Sequence, residues 1–150
     1  MDWKLEIVLV LRTMLAAMLG ALIGWERERH GTEAGIRTHM AVCIGACTFA
    51  LVSSHVPGAD PTRIAAQIVV GIGFLGAGVI INQHGTVSGL TTAAALWATS
   101  AVGTAAAFGM YVLAVFTALI IYATLALHHL PGWPKARQHP AQGEQAEGGK

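Results

Sequence analysis

The fold is decided by residues 64–134, IAAQIVVGIGFLGAGVIINQHGTVSGLTTAAALWATSAVGTAAAFGMYVLAVFTALIIYATLALHHLPGWP. This run of 71 residues contains no Asp, Glu, Lys or Arg. A soluble domain of average composition would carry roughly 18 charged residues over the same length. Because a surface that faces water needs such charges, we expect this stretch to be embedded in a lipid bilayer.

The composition of the whole chain agrees with that expectation. Hydrophobic residues make up 54% of the chain and charged residues 11%, and the mean hydropathy is +0.58. The net charge of +1 gives no electrostatic reason to expect a nucleic-acid partner. Cys43 and Cys47 lie four residues apart in an apolar run, on one helix face, so small buried residues are favoured over a disulfide or a metal site.

Five apolar segments follow one another along the chain. Each approaches the length of about 20 residues that a helix needs to cross the hydrocarbon core. Alternation of period two is absent, which disfavours a β-barrel. The sequence therefore predicts an all-α, polytopic membrane protein with about five transmembrane helices. The segments are Ile7 to Trp25, Thr38 to Ser53, Ile64 to Ile81, Leu90 to Ala107 and Met110 to Leu127.

Basic residues predict the orientation. Three follow the first segment and three follow the fifth, and five crossings place both groups on one side of the membrane. The N-terminus is then outside and the C-terminus is cytoplasmic. We expect residues 1–130 to form the transmembrane domain and residues 131–150, which lack an apolar period, to form a short disordered tail. The six basic residues are Arg27, Arg29, Arg37, Lys135, Arg137 and Lys150.

The fourth segment leaves two interpretations open. Its start at Gly89 is poorly defined in the sequence, and Phe108 and Gly109 leave almost no loop before the fifth segment. A tight helical hairpin and a partly re-entrant element both fit these features.

Small residues at helical spacing predict close helix packing, because helices in lipid associate where their backbones can approach. The first segment carries Gly20 and Gly24 four residues apart. The third carries Gly71, Gly73, Gly76 and Gly78, but the strand and the acidic residue of a dinucleotide site are missing. We expect these glycines to admit another helix, including one from a second copy. A broken helix whose carbonyls bind an ion is the alternative.

Polar residues on the predicted outer side suggest one cluster. Arg12 lies inside the first segment, where its side chain can extend to the outer interface or pair with Asp60. Arg63 and Gln67 lie one turn apart on the same side. Together, Arg12, Asp60, Arg63 and Gln67 would form either a structural clamp or the mouth of a site.

A second polar group lies on the predicted inner side, where Glu26, Arg27, Glu28, Arg37 and His39 gather at the ends of the first two segments. These residues could be a solvated basic anchor. Alternatively, Glu26 and Arg37 pair across the short loop and fix the first helix against the second. No catalytic triad, phosphate-binding loop or metal-hydrolase motif is present, so we expect neither catalysis nor a cofactor, and the residues leave metal binding undetermined.

Four blocks of sequence resemble the MgtC/SapB family of bacterial inner-membrane proteins. They are LGALIGWERE at 19–28, AGIRTH at 34–39, DPTRIAAQIVVGIGFLGAGVI at 60–80 and GLTTAAALW at 89–97. The resemblance covers roughly Ile7 to Leu127. It implies that Glu26, Arg27, Arg37, Asp60, Arg63, Gln67 and the third-segment glycines are motif positions, and it assigns them no chemistry.

The resemblance also implies a biological setting. Members are linked to growth under magnesium limitation and to virulence through survival inside macrophages, and one proposed mechanism is inhibition of the F-type ATP synthase. Transport of magnesium is the older idea. Fuller members carry a soluble C-terminal domain, whereas this chain ends about twenty residues after its fifth segment, so we expect a short form closer to the SapB-like branch.

These observations favour a non-enzymatic regulator that binds another membrane protein through its small-residue helix faces. A transporter of magnesium or another ion is the alternative hypothesis. The expected partners are the lipid bilayer, a membrane-protein complex and further copies of the chain, and no nucleic acid.

Overall fold

The computed structural model describes residues 3–58, 60–83 and 86–127, and this part of the chain forms five helices and one short hairpin. The predicted tail at residues 131–150 lies outside the described residues. Four of the five helices begin or end at positions that differ from the predicted bounds, and the fourth matches them. The helices are α1 (Trp3–Arg29), α2 (Ile36–His55), α3 (Pro61–Val79), α4 (Leu90–Ala107) and α5 (Tyr111–Ala126).

Consecutive helices run in opposite directions. Gly20 of α1 packs against Met40 of α2, and Gly24 packs against Ile36, so α1 and α2 are antiparallel. Gly76 of α3 faces Ala93 of α4, which makes that pair antiparallel as well. A tight turn at Phe108–Met110 then reverses the chain into α5. We call the end of the bundle where α1 finishes and α4 begins the Glu26 end, and the opposite end the Arg12 end.

Helix α4 is the centre of the bundle. It packs against all four other helices, and more than half of its 18 residues are buried. An unbroken helix of this length is about 27 Å long, and the tight turn that follows it forms the helical hairpin with α5. Full crossing by the fourth segment stays a prediction. Its small and hydroxylated residues, which left the boundary of the segment poorly defined in the sequence, let the four neighbouring helices approach closely.

Lipid-compatible length and composition confirm the all-helical membrane fold. Within the described residues, α1, α2 and α3 are each long and apolar enough to cross a bilayer, and α5 is a shorter apolar helix of 16 residues. Large apolar side chains remain on the outside of the bundle, including Phe74, which is 83% exposed, and Val112, which is 72% exposed. The number of crossings and the orientation remain predictions.

The short hairpin was not predicted. Strand β1 (Ile81–Gln83) pairs with the antiparallel strand β2 (Thr86–Ser88), between α3 and α4. Gly89 follows it with a φ of +83°, and a Cβ there would lie 2.2 Å from the Val79 carbonyl oxygen. Only glycine fits this position, where the chain returns onto the end of α3 before it enters α4.

Helix α3 is continuous from Pro61 to Val79. The hypothesis of a broken helix that offers its carbonyls to an ion is therefore wrong, because those carbonyls accept the hydrogen bonds of the helix itself. Its first turn is favourable, since Asp60 caps the amide of Thr62 and proline occupies the first position, where no amide hydrogen is needed.

Candidate functional site

Five polar side chains are buried towards the Glu26 end of the bundle. Glu26 is 3% exposed and Arg27 is 7% exposed, and His39 and Thr99 are fully buried. Thr92 in the first turn of α4 completes the group, which we call the Glu26 cluster (Glu26, Arg27, His39, Thr92 and Thr99). Ionisable groups buried in a membrane protein are costly and therefore mark candidate functional sites.

The charged pair of this cluster is loosely held. Arg27 Nη1 lies 3.9 Å from Glu26 Oε2, and Glu26 Oε1 lies 3.2 Å from His30 Nδ1 one turn further along α1. Arg27 Nη2 donates to the Thr92 hydroxyl over 3.5 Å, and no described residue accepts a hydrogen bond from Nε. The guanidinium thus connects α1 to the start of α4, and its Nε can donate one further hydrogen bond.

His39, in the first turn of α2, links that helix to Thr99 of α4. The Thr99 hydroxyl donates to the Ala95 carbonyl oxygen over 2.8 Å and lies 2.9 Å from His39 Nδ1. Because the hydroxyl hydrogen is committed to Ala95, Nδ1 must be the donor to Thr99. The imidazole therefore carries its proton on Nδ1, and Nε2 is buried without a hydrogen-bond partner among the described residues.

The predicted pair between Glu26 and Arg37 does not form, because Glu26 is buried beside Arg27 and His30 while Arg37 is exposed. Glu28 makes the link between the helices instead. Its Oε2 accepts a hydrogen bond from the Ile36 amide over 2.8 Å. Gly35 at the N-cap of α2 has no side chain to do this, so a carboxylate from α1 caps α2.

Arg12 contacts residues of α4 and α5 instead of the predicted partner Asp60. Its Nη1 donates to the Ala107 carbonyl oxygen over 2.7 Å, and its Nε donates to the Tyr111 hydroxyl over 2.9 Å. The guanidinium therefore lies at the C-terminal end of α4, where helix carbonyls lack partners and a positive charge is favourable. Arg12 therefore joins α1 to the end of α4 and to the start of α5, and a role as a structural clamp with these partners stays a prediction.

The remaining members of the predicted outer cluster do not join Arg12. Asp60 accepts from the Thr62 amide over 2.9 Å and from the Thr62 hydroxyl over 2.6 Å. Arg63 is exposed, and Gln67 faces a groove between α2 and α3. Among the described residues, the four predicted side chains thus form no common site.

Asp60 supplies a test of the α3 cap. Its hydrogen bonds with Thr62 hold the pKa of the carboxyl below its ordinary value. Since the folded pKa is the lower one, this stabilisation is complete above the ordinary pKa and disappears as the pH falls through the folded pKa. We expect Thr62→Val to remove the hydroxyl contact and raise the pKa of Asp60 in an NMR titration. An unchanged pKa would contradict the cap.

The predicted packing glycines fall into two groups. A Cβ at Gly20 would lie 2.7 Å from the His39 carbonyl oxygen, and one at Gly24 would lie 2.6 Å from the Ile36 Cα. These two glycines therefore bring α1 and α2 into backbone contact. The α3 glycines differ: a Cβ at Gly76 would make an ordinary 3.5 Å contact with Ala93, while Gly71, Gly73 and Gly78 have no neighbour within 4 Å among the described residues.

A groove lies beside Gly71, one of the open glycines of α3. It has a volume of about 560 Å³ and runs between α2 and α3 on the outside of the bundle. Gly45 of α2 and Gly71 of α3 line it, and a Cβ added at either position would meet no atom of the described residues within 4 Å. Phe49 and Leu75 are among the apolar side chains of its walls, and Gln67 is the polar one. We call it the α2–α3 groove.

Sequence reasoning missed three residues with defined contacts: Glu28 as a helix cap, Thr92 as a partner of Arg27, and Tyr111 as a partner of Arg12. A weak signal existed for Thr92, because it lies seven residues before Thr99 and therefore on the same face of α4. No signal in the sequence indicated that Tyr111 and Arg12, 99 residues apart, would meet.

Comparison with known proteins places the chain among related sequences. The model of the MgtC family matches residues 13–130. "Putative magnesium transporter YhiD" of Escherichia coli K12 is 40% identical over 80% of this chain. "Protein MgtC" of Brucella abortus strain 2308 is 49% identical over 75% of this chain, and "Protein MgtC" of Salmonella typhimurium is 46% identical over 75%.

The matched regions are only part of those relatives. This chain spans 60% of the length of the Escherichia coli protein and 48% of the length of the Brucella and Salmonella proteins. No solved structure matches the chain significantly.

Proposed function

The chain belongs to the MgtC family, and on that premise we propose that it is a non-enzymatic, multi-pass protein of the bacterial inner membrane that regulates another membrane protein by binding it. The binding surface in this proposal is the α2–α3 groove. The partner is an integral membrane protein that places one apolar transmembrane helix in this groove.

The open glycines of α3 carry the proposal. Glycine inside a helix costs about 1 kcal/mol relative to alanine. Gly20 and Gly24 offset this cost through the contact between α1 and α2, whereas Gly71, Gly73 and Gly78 make no packing contact with the described residues that would require glycine. A helix from another protein that approaches the α3 backbone closely would supply that contact.

The shape of the α2–α3 groove supports a helical occupant. Glycines stand on both walls, at Gly45 and Gly71, so an approaching helix meets backbone on each side. Gln67 offers an amide group for an interhelical hydrogen bond, which is a recurrent source of specificity between helices in lipid. Lipid chains would fill the groove without any need for glycine or glutamine.

Substitutions that fill the groove test the proposal. We expect Gly71→Leu and Gly45→Leu to reduce the partner that co-purifies from native membranes at least tenfold, because a leucine side chain occupies the space of the incoming helix. The fold should tolerate both changes, since a Cβ added at either position meets nothing within 4 Å in the described part of the chain. Ala123→Leu is the matched control, because Ala123 is exposed on α5, outside the groove.

Retention of every partner by both groove variants would refute the proposal, as would equal losses with Ala123→Leu. Gly20 is unsuitable for this test because a side chain there collides with the backbone of α2. The amount of each variant in the membrane fraction and its elution in size-exclusion chromatography show whether the fold is intact.

Transport of a divalent cation is the second candidate, and the name of the Escherichia coli relative, a putative magnesium transporter, favours it. Glu26 is the buried carboxylate of the described residues, but it lies beside the cation of Arg27, which opposes a second positive charge. We therefore expect purified protein in liposomes to give no magnesium flux above that of empty liposomes. Flux that Glu26→Gln abolishes would instead establish transport.

A further inference from the structure

Helix α3 is the least covered of the three long apolar helices in the described part of the chain. Of its membrane-spanning window, 17% is buried, against 28% for α1 and 39% for α2. One side of α3 packs on α4, where Gly76 faces Ala93. Phe74 lies two residues before Gly76, on the other side of the helix, and is 83% exposed. This outer side of α3 is therefore open to another molecule.

The outer side of α3 carries a repeat of about 3.5 residues. Gln67, Gly71, Phe74 and Gly78 follow one another at intervals of four, three and four residues. This spacing places the four residues on one line along the helix, and it is typical of the seam between two helices that pack side by side. A Cβ added at Gly71 or Gly78 would meet no described atom within 4 Å. We call these four residues the α3 seam.

The shape of the α3 seam is complementary to that of a second α3 seam. Copies of one chain share their orientation in the membrane, so a two-fold axis along the membrane normal brings like positions together. In such a parallel pair, each side chain enters a space between seam residues of the facing helix. Phe74 of one copy would lie between Gly71 and Gly78 of the other, where the glycines leave room for the ring. The seam thus carries both the projecting group and the space that receives it.

Gln67 independently indicates that the seam has a polar partner. Its amide makes no hydrogen bond with another described residue, although it lies in the membrane-spanning window of α3. An unpaired amide is costly in lipid, because no water replaces the missing hydrogen bonds. Since an amide both donates and accepts, two glutamines related by a two-fold axis can bond to each other. Arg63 and the N-cap Asp60 precede Gln67 by four and seven residues, and their opposite charges also allow pairing between copies.

We propose that two copies of the chain pair side by side and parallel through the α3 seam. Each Phe74 ring occupies the space beside the glycines of the other copy, and the two Gln67 amides bond to each other. Gln67 and Gly71 also line the α2–α3 groove. The proposal therefore rests on the proposed function in one respect: a second copy and the regulated membrane protein are alternative occupants of this surface.

Disulfide cross-linking of the full chain in native membranes tests the close approach. Two cysteines form a disulfide only where their Cα atoms lie within about 7 Å of each other. We expect Gly71→Cys to give several-fold more cross-linked dimer on mild oxidation than Gly73→Cys. Gly73 is the matched control, because it is equally open but lies two residues further along α3, away from the seam. The natural Cys43 and Cys47 are buried, and the unmodified protein measures their background.

Self-association of the purified full chain in an uncharged detergent tests the packing of Phe74. We expect sedimentation to show a dimer of the unmodified protein, and Phe74→Ala to weaken its association about tenfold. Phe116→Ala is the matched control, because it removes the same side chain from an exposed position on α5, outside the seam. Both positions are exposed, so both variants should fold.

Three results would each overturn the pairing: a monomeric unmodified protein, equal cross-linking of Gly71→Cys and Gly73→Cys, or equal association of Phe74→Ala and Phe116→Ala. Gly45→Leu separates the pairing from the proposed function, because Gly45 lines the groove from α2 and is not part of the seam. We expect it to lose the regulated protein and to keep the dimer. A dimer that forms when no other protein co-purifies supports the pairing and refutes only the proposed function.

Discussion

Gly103→Ala will force α2 and α4 apart and lower the free energy of unfolding by about 3 kcal/mol or more. A Cβ at residue 103 would lie 2.2 Å from the Cys43 carbonyl oxygen and 3.0 Å from its carbonyl carbon. The obstacle is backbone inside a helix, so no change of side-chain conformation can relieve it. Because α4 contacts all four other helices, the displacement would spread through the bundle.

Gly73→Ala is the matched control for this prediction. Gly73 is also in a helix, but a Cβ there would meet none of the described residues within 4 Å, so alanine should stabilise the protein by up to about 1 kcal/mol through its helix propensity. Thermal unfolding of both variants in the same detergent measures the difference. Equal unfolding temperatures for the two variants would show that α2 and α4 do not touch at Gly103.

Arg12→Met will lower the free energy of unfolding by about 2 kcal/mol. The change removes two hydrogen bonds from a charged donor, to Ala107 and to Tyr111, which are worth roughly 1.5 to 3 kcal/mol each. Part of this loss is recovered because a charge no longer has to be desolvated. The turn between α4 and α5 should loosen first, since Arg12 holds both of its sides.

A double-mutant cycle with Tyr111→Phe checks the mechanism. Tyr111→Phe removes only the phenolic hydroxyl, so we expect a loss of about 1 kcal/mol in the presence of Arg12 and nearly none in the Arg12→Met background. Arg63→Met is the control for loss of charge, because Arg63 is exposed at the start of α3. Strictly additive losses for Arg12 and Tyr111 would contradict the clamp.

The polar clusters show where prediction from sequence failed. Glu26, Arg27 and His39 were predicted to gather near one end of the bundle, and the structure places them there, but the predicted pair of Glu26 with Arg37 does not form. Which side chains meet depends on the rotation of each helix about its own axis. A difference of one residue turns a helical side chain by about 100°, and a sequence that is apolar on every face does not reveal that rotation.

The same limit applies to the glycines. Spacing predicted that Gly20, Gly24 and the α3 glycines would all permit close packing, and it could not tell which positions have a neighbour within the chain. Gly24 contacts the backbone of α2, whereas Gly71 is open. Both have the same local sequence signal, because small residues at helical spacing look alike whether the partner helix belongs to the same protein or to another.

The sequence by itself determined that this protein lies in lipid as a set of helices. An uncharged run of 71 residues has no favourable place in water, and in lipid the backbone must satisfy its own hydrogen bonds, which a helix does locally. Only the tertiary structure decided that α4 is central, that Arg12 contacts its end and that Arg27 contacts its start. These facts depend on contacts between residues up to 99 positions apart, which the rotation and packing of whole helices fix together.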